Sequence, residues 1–258
     1  MFKTLSLLIC ASFLLLFSLP SPALTAKGAI VVDGRIVLGA YQGMVEEHLF
    51  GILHGLSALA ATQDVVSGDW ERVKGPLAAF KRDAPTATAM WFARPDGSYF
   101  TVEGGRARQS LEDRDYFPVL MSGKAVAGSL VISKSTGERS VIVAAPITKD
   151  GKVVGALGAS LSVEALAKLV ESRAGLPKDL IFYALDAQGR TALHRDSSLI
   201  FQFPSDIGDQ SLKAAVQTML SAPEGVVNYT FRGSHRTAIF VKSEATGWVF
   251  VLGKVPAG

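Results

Sequence analysis

At 258 residues, with 48% hydrophobic and 19% charged side chains, 25 glycines, 11 prolines and one cysteine, the chain is neither disordered, collagen-like nor stapled by disulfides. Its 26 basic and 23 acidic residues, a net charge of +3, are too evenly balanced for a protein that binds by neutralising many phosphates, so no nucleic-acid partner is expected. The length allows one large domain or two small ones.

Lys3 is followed by Leu5 to Leu19, 15 residues without a charge, and then by Pro20-Ser21-Pro22-Ala23-Leu24-Thr25-Ala26. A basic start, an apolar run and a small-residue zone are the order of a secretory signal peptide. The run falls short of the roughly 20 residues that span a bilayer. Residues 1–26 therefore read as a leader cleaved after Ala23, Thr25 or Ala26, with retention as a membrane anchor the alternative. The expected location is periplasmic or secreted. Cys10 lies inside the leader, so the exported chain has no disulfide, thiolate metal ligand or cysteine nucleophile.

From Leu38, apolar residues at Tyr41, Met44, Val45, Leu49, Ile52, Leu53, Leu56, Leu59 and Ala60 follow the spacing of one helical face and predict a helix of about 25 residues. Gly39, Gly43, Gly51 and Gly55 within it predict close packing against a neighbour. A second helix is predicted from an Asp69 N-cap, with Trp70, Val73, Leu77 and Phe80 on one side. Short β runs follow: Ala87 to Ala93, a turn at Arg94-Pro95-Asp96-Gly97, and Ser98 to Val102. A helix is predicted from Asp113 to Met121, then strands Val126 to Lys134, Arg139 to Ile147 and Lys152 to Leu161, and a helix from Val163 to Ser172 capped by Ser162. The order then repeats. A strand Asp179 to Leu185 turns at Asp186-Ala187-Gln188-Gly189 and returns, a helix runs from Asp209 to Ser221, and strands run Gly225 to Phe231, Arg236 to Lys242 and Trp248 to Val255. Residue by residue, Arg139-Ser140-Val141-Ile142-Val143 lies over Arg236-Thr237-Ala238-Ile239-Phe240. The fold class is α+β: a long N-terminal helix followed by two tandem units, each with a mostly antiparallel sheet of about five strands. The expected divisions are a leader over 1–26, a helical stalk over 27–84, and modules over 85–172 and 173–258.

The long helix, Asp113-Arg114-Asp115-Tyr116-Phe117-Pro118, the turn Ser135-Thr136-Gly137-Glu138, Ala145-Pro146-Ile147 and Gly155-Ala156-Leu157-Gly158-Ala159-Ser160-Leu161 stand in an order that resembles the double Cache (dCache) sensor domains of bacterial chemoreceptors and sensor kinases. The resemblance covers nearly all of the exported chain. It implies two PAS-like modules along one helix, with a ligand pocket in the first, membrane-distal one, between the sheet and the Arg-x-aromatic-aromatic segment. Arg114 matches the residue that grips a ligand carboxylate, a task suited to the planar guanidinium fork. Tyr116 and Phe117 match the aromatics that wall the pocket. Ser160, with Ser129, would supply neutral hydrogen bonds. Members that bind amino acids carry an aspartate where this chain has Ser160 and a tyrosine near Gln109, so a small organic acid is favoured over an amino acid. Such receptors continue into a second membrane helix, whereas this sequence stops at Val255-Pro256-Ala257-Gly258; the expectation is a free-standing version that reports to a separate membrane receptor or sensor kinase.

Simpler roles stand beside these. Arg114 could pair with Glu112, Asp113 or Asp115, and Tyr116 and Phe117 could be core aromatics. Gly158-Ala159-Ser160-Leu161-Ser162 falls one residue short of a Gly-x-Ser-x-Gly nucleophile elbow, which makes an exported serine hydrolase using Ser160 the enzymatic alternative. A ligand-free interaction module that dimerises through the glycine-containing helix is the third reading. His48, His54, His194 and His235 show no metal-ligand spacing, and no phosphate-binding glycine loop occurs, so neither a metal nor a cofactor is expected.

Overall fold

The computed structural model describes residues 32–255 other than 176 and 178. The leader expected over residues 1–26 lies outside the described residues. Asp33 opens α1 (Gly34–Ala60) by accepting a hydrogen bond from Arg35 N at 2.8 Å. The helix starts ahead of the apolar rhythm because the cap, rather than the first buried side chain, sets its beginning. Leu38, Tyr41, Val45, Leu49, Ile52 and Leu56 are buried at third and fourth positions and form one stripe. The expectation of close packing at all four helix glycines is corrected to one. A Cβ on Gly55 would lie 2.3 Å from the Phe80 ring, whereas nothing lies within 4 Å of one on Gly39, Gly43 or Gly51.

Two helices, α2 (Gln63–Val66) and α3 (Trp70–Arg82), lead to the first sheet; Asp69 caps α3 as expected. That sheet comprises β1 (Ala87–Ala93), β2 (Ser98–Thr101), β3 (Gly105–Ser110), β4 (Val126–Ile132), β5 (Arg139–Lys149) and β6 (Lys152–Ser162), all antiparallel, in the order β3-β2-β1-β6-β5-β4. It has six strands, not five. The unpredicted β3 reads Gly-Arg-Ala-Arg-Gln-Ser; an edge strand with little buried surface needs no apolar alternation. The helix expected over 113–121 shrinks to α4 (Phe117–Met121). Pro118 has no N–H for the Arg114 carbonyl and its ring would clash there, so the helix does not extend upstream.

α5 (Val163–Ala174) starts on the Ser162 hydroxyl, which accepts from Ala165 N at 3.2 Å, and ends at Gly175 in the left-handed region. The second sheet holds β7 (Leu180–Leu185), β8 (Thr191–His194), β9 (Glu224–Phe231), β10 (Ser234–Lys242) and β11 (Val249–Lys254), in the order β8-β7-β11-β10-β9. Between β8 and β9 come a 3-10 turn (Ser197–Leu199), α6 (Pro204–Ile207) and α7 (Gln210–Ser221), the last capped by Asp209.

The order β2-β1-β6-β5-β4 of the first sheet recurs as β8-β7-β11-β10-β9 in the second, so the repeat is real at the level of topology. The residue-level match needs correction. Arg139 shares its strand face with Val141 and Val143, which pack on the α1 side, whereas Arg236 shares its face with Ala238 and Phe240 on the side away from α1. In a strand with period two, a register wrong by one residue places matched side chains on opposite faces.

α1 packs against β5 and β6 of the first sheet and β10 and β11 of the second, and one apolar core runs beneath it through both. Each fully buried Leu or Val in that stripe contributes roughly 1.5–3 kcal/mol. The modules are also tied directly, because Arg139 Nη1 donates to Ile200 O at 2.8 Å and Trp248 Nε1 donates to Gly128 O at 2.8 Å.

Candidate functional site

β4 ends the first sheet, so its outward carbonyls have no neighbouring strand. Side-chain donors satisfy alternate ones. Trp248 takes Gly128 O, Arg190 Nη2 takes Leu130 O at 3.0 Å, and Arg114 Nη2 takes Ile132 O at 2.7 Å. A bulge between Ala127 and Ser129, with Gly128 at a φ of 112°, begins this row. A Cβ on Gly128 would stand 3.1 Å from Trp248 Nε1, so glycine allows both the backbone turn and the close approach.

Along this edge lies a cleft of about 420 Å³. The 113–116 segment forms one wall with Asp113, Arg114, Asp115 and Tyr116. Ser129, Leu130 and Val131 form its floor, and Gln188, Arg190 and Phe203 approach from the second module. Arg190 is held by Asp186 at 3.0 Å and lies 4.7 Å from the centre of the Phe201 ring.

Arg114 is held at one end only. Its Nη2 is bonded to Ile132 O, but its buried Nε has no hydrogen-bond partner among the described residues. Among the described residues it forms no ion pair. The acid beside it, Asp113, is bonded to Lys134, which also donates to Ser110 O at 2.6 Å. The Lys134 hydrogen bond holds the Asp113 carboxyl below its ordinary range. Tyr116 is buried, and burial pushes its phenol far above the usual tyrosine value, so it stays neutral.

Of the five residues singled out from sequence, Arg114, Tyr116 and Ser129 meet in the cleft, and Phe117 and Ser160 do not line it. Phe117 packs in the interior with Trp91, Leu120 and Ile142. Ser160 is 3% exposed and paired in the ladder with Ala89 and Ile142. The space between the sheet and the 111–121 segment is filled by Trp91, Tyr99 and Tyr116. A Cβ on Gly158 would fall 2.1 Å from the Trp91 ring, so the indole lies directly on the β6 backbone. The strand-to-helix elbow a serine nucleophile needs is not formed at Ser160, which sits inside an antiparallel ladder. His48 bonds Thr86, His235 bonds Thr230, and His194 accepts from Asp196 N. Among the described residues no group of three or more His, Cys, Asp or Glu side chains converges as a metal site requires. Arg190, Gln188 and Phe203 were missed from sequence. The only cue was the turn Asp186 to Gly189 with an arginine next to it.

Two antiparallel sheets of matching order on one long helix, with a polar cleft at the edge of the first, define a tandem α+β module pair. A family model of the Cache domain, in its double form dCache_1, matches residues 30–256, and the chain belongs to that family. The solved structures similar in fold include three chemoreceptor domains. The ligand-binding domain of the Pseudomonas aeruginosa PAO1 chemoreceptor PctB in complex with L-Arg is 16% identical, with 86% of this chain and 93% of that one covered at a TM-score of 0.69. The sensory domain of the Campylobacter jejuni chemoreceptor Tlp3 with isoleucine bound is 15% identical, with 85% and 90% covered at a TM-score of 0.64. The ligand-binding domain of the Pseudomonas fluorescens chemoreceptor CtaA in complex with L-serine is 16% identical, with 86% and 93% covered at a TM-score of 0.66. No curated protein matches. No helix among the described residues is long and apolar enough to cross a membrane.

Proposed function

We propose that the protein is a non-catalytic extracytoplasmic sensor that binds a small carboxylate in the β4-edge cleft and reports to a separate membrane receptor or sensor kinase. The buried Arg114 Nε–H carries this reading: it has no partner among the described residues, although the same guanidinium is anchored on Ile132 O. A buried charged donor left unmade is costly, and a carboxylate meeting Nε and a free Nη hydrogen removes that cost. Tyr116 and Ser129 add neutral hydrogen-bonding groups beside it. Phe117 packs beside Tyr116 in the interior, and Ser160 takes no part in the cleft. Because Arg190 and Gln188 also line the cleft, a ligand there touches both modules and shifts the population between their packings on α1. In this reading residues 27–84 form the stalk, 85–172 the membrane-distal module and 173–258 the membrane-proximal one, after loss of the leader. The open helix surface at Gly39, Gly43 and Gly51 supports pairing of two copies through α1.

An organic acid is favoured because Arg114 Nε is the unpartnered group at the cleft and the neighbouring Asp113 carboxylate is taken up by Lys134. One observation favours an amino acid instead. Asp115 lines the same cleft and offers a carboxylate to an ammonium group, and the similar structures hold L-Arg, isoleucine and L-serine. Thermal-shift assays with matched pairs, lactate with alanine and succinate with aspartate, separate the two. At ten times Kd a ligand adds about 1.4 kcal/mol, a rise of roughly 3–6 °C for a domain of this size. The organic-acid reading expects the rise with lactate or succinate and its loss in Arg114→Ala. A rise confined to alanine or aspartate and lost in Asp115→Asn supports the second reading. A response unchanged in Arg114→Ala contradicts both.

A further inference from the structure

Among the described residues two buried side-chain donors lack any hydrogen-bond partner, Arg114 Nε in the first module and Arg236 Nε in the second. The proposed function uses only the first. Arg236 lies on β10 opposite Tyr229 of β9, with its guanidinium 5.0 Å from the centre of the Phe231 ring. Alternation along the strands puts Arg236, Tyr229 and Tyr183 on the face away from α1. α7 covers most of that face with Leu212, Val216 and Met219. Where the one-turn α6 takes over from α7, a cavity of about 30 Å³ remains, room for about two waters.

The chemistry of its lining is one-sided. Arg236 brings a positive charge, and among the described residues no carboxylate lines the cavity. His194 Nδ1 accepts from Asp196 N at 2.8 Å, so the neutral ring carries its proton on Nε2 and is a donor there. Burial pushes the His194 pKa down to about 4, which keeps the ring neutral at ordinary pH. The Tyr183 hydroxyl donates to Met219 Sδ at 3.9 Å and shares a hydrogen bond of 3.2 Å with Tyr229, so both protons of the pair are used within the protein. The charged and aromatic donors facing the cavity are Arg236 and His194. Leu199, Pro204, Ile207 and Leu212 make the rest of the wall apolar.

We infer that this cavity is a second ligand site, which takes a short-chain monocarboxylate with its carboxylate on Arg236 and its alkyl end against α6. The apolar wall selects an alkyl acid over an inorganic anion, and the small size favours acetate ahead of propionate and excludes larger acids. The site is separate from the β4-edge cleft, with which it shares no lining residue.

Isothermal titration and saturation-transfer NMR with sodium acetate and sodium propionate test this, with sodium chloride and sodium phosphate as controls at matched ionic strength. The wild-type protein binds the alkyl acids in preference to both controls. Arg236→Gln weakens that binding on the order of 30-fold or more, while Arg114→Ala leaves it within about twofold because the sites are independent. Ile207→Trp, at a position 44% exposed, fills the cavity from its rim and abolishes binding, and gives the test a second route if Arg236→Gln does not fold. Four results overturn the inference: no acetate or propionate binding to the wild type, phosphate binding as tightly, affinity unchanged in Arg236→Gln or Ile207→Trp, or loss in Arg114→Ala with retention in Arg236→Gln.

Discussion

The two modules share a strand order but cover their sheets differently, and the difference decides where each has room for a ligand. In the first, the face away from α1 is sealed by a short irregular segment and three rings, Trp91, Tyr99 and Tyr116, and space opens at the β4 edge instead. In the second, the twelve-residue α7 lies over the sheet, and the gap falls where α6 replaces it. Both leave one arginine Nε unmade, but Arg114 comes from the covering segment and Arg236 from the sheet itself. A repeated topology therefore conserves the frame while each module finds its cation on a different element.

The largest expected effect concerns whether the modules are independent. Trp248→Ala removes a fully buried ring and its bond to Gly128 O and costs about 3–5 kcal/mol. Because one core runs through both modules, calorimetry should show a single transition lowered by roughly 6–20 °C. Two separate transitions, with only one of them moved, would break the picture of a shared core.

His194 gives the next effect, in the second module, and His48 on α1, whose pKa burial also lowers, adds to it with the same sign. Burial lowers the His194 pKa to about 4 from an ordinary 6.5, so between those values the unfolded chain binds the extra proton. Stability is then complete above pH 6.5 and is lost as pH falls toward 4, by about 3 kcal/mol in all. Chemical denaturation across that window should show the slope, and His194→Gln should flatten it. An unchanged slope would mean that another group titrates.

A smaller effect sharpens the contrast at the cations. Tyr183→Phe deletes one partner of the buried hydroxyl pair and should cost about 1 kcal/mol in urea unfolding without altering any ligand response of the first module. A lost response there would show that the second module's lining is coupled to the β4-edge cleft.

Much of this architecture is legible in the chain. The α1 stripe, the Asp69, Ser162 and Asp209 caps and the glycine turns each follow from local spacing or local hydrogen bonding, which sequence displays directly. β3 is hidden because an edge strand with exposed faces lacks the alternation that marks strands. The Arg139 and Arg236 match fails because similar letters do not reveal strand parity. Within the cleft, Arg114, Tyr116 and Ser129 could be found from sequence, two of them by one motif. Arg190 and Phe203 arrive from a distant module, and no local pattern announces a contact made across about 60 residues. Trp91 filling the inner space, which leaves Ser160 behind it, is likewise a packing outcome that a list of residue types does not contain.

The most direct test of the central claim is a crystal structure of the protein grown with whichever carboxylic acid gives the largest thermal shift. The account predicts the carboxylate within hydrogen-bonding distance of Arg114 Nε in the β4-edge cleft, with Tyr116 and Ser129 beside it. A bound acid lodged elsewhere, with Arg114 Nε still unpartnered, would contradict it.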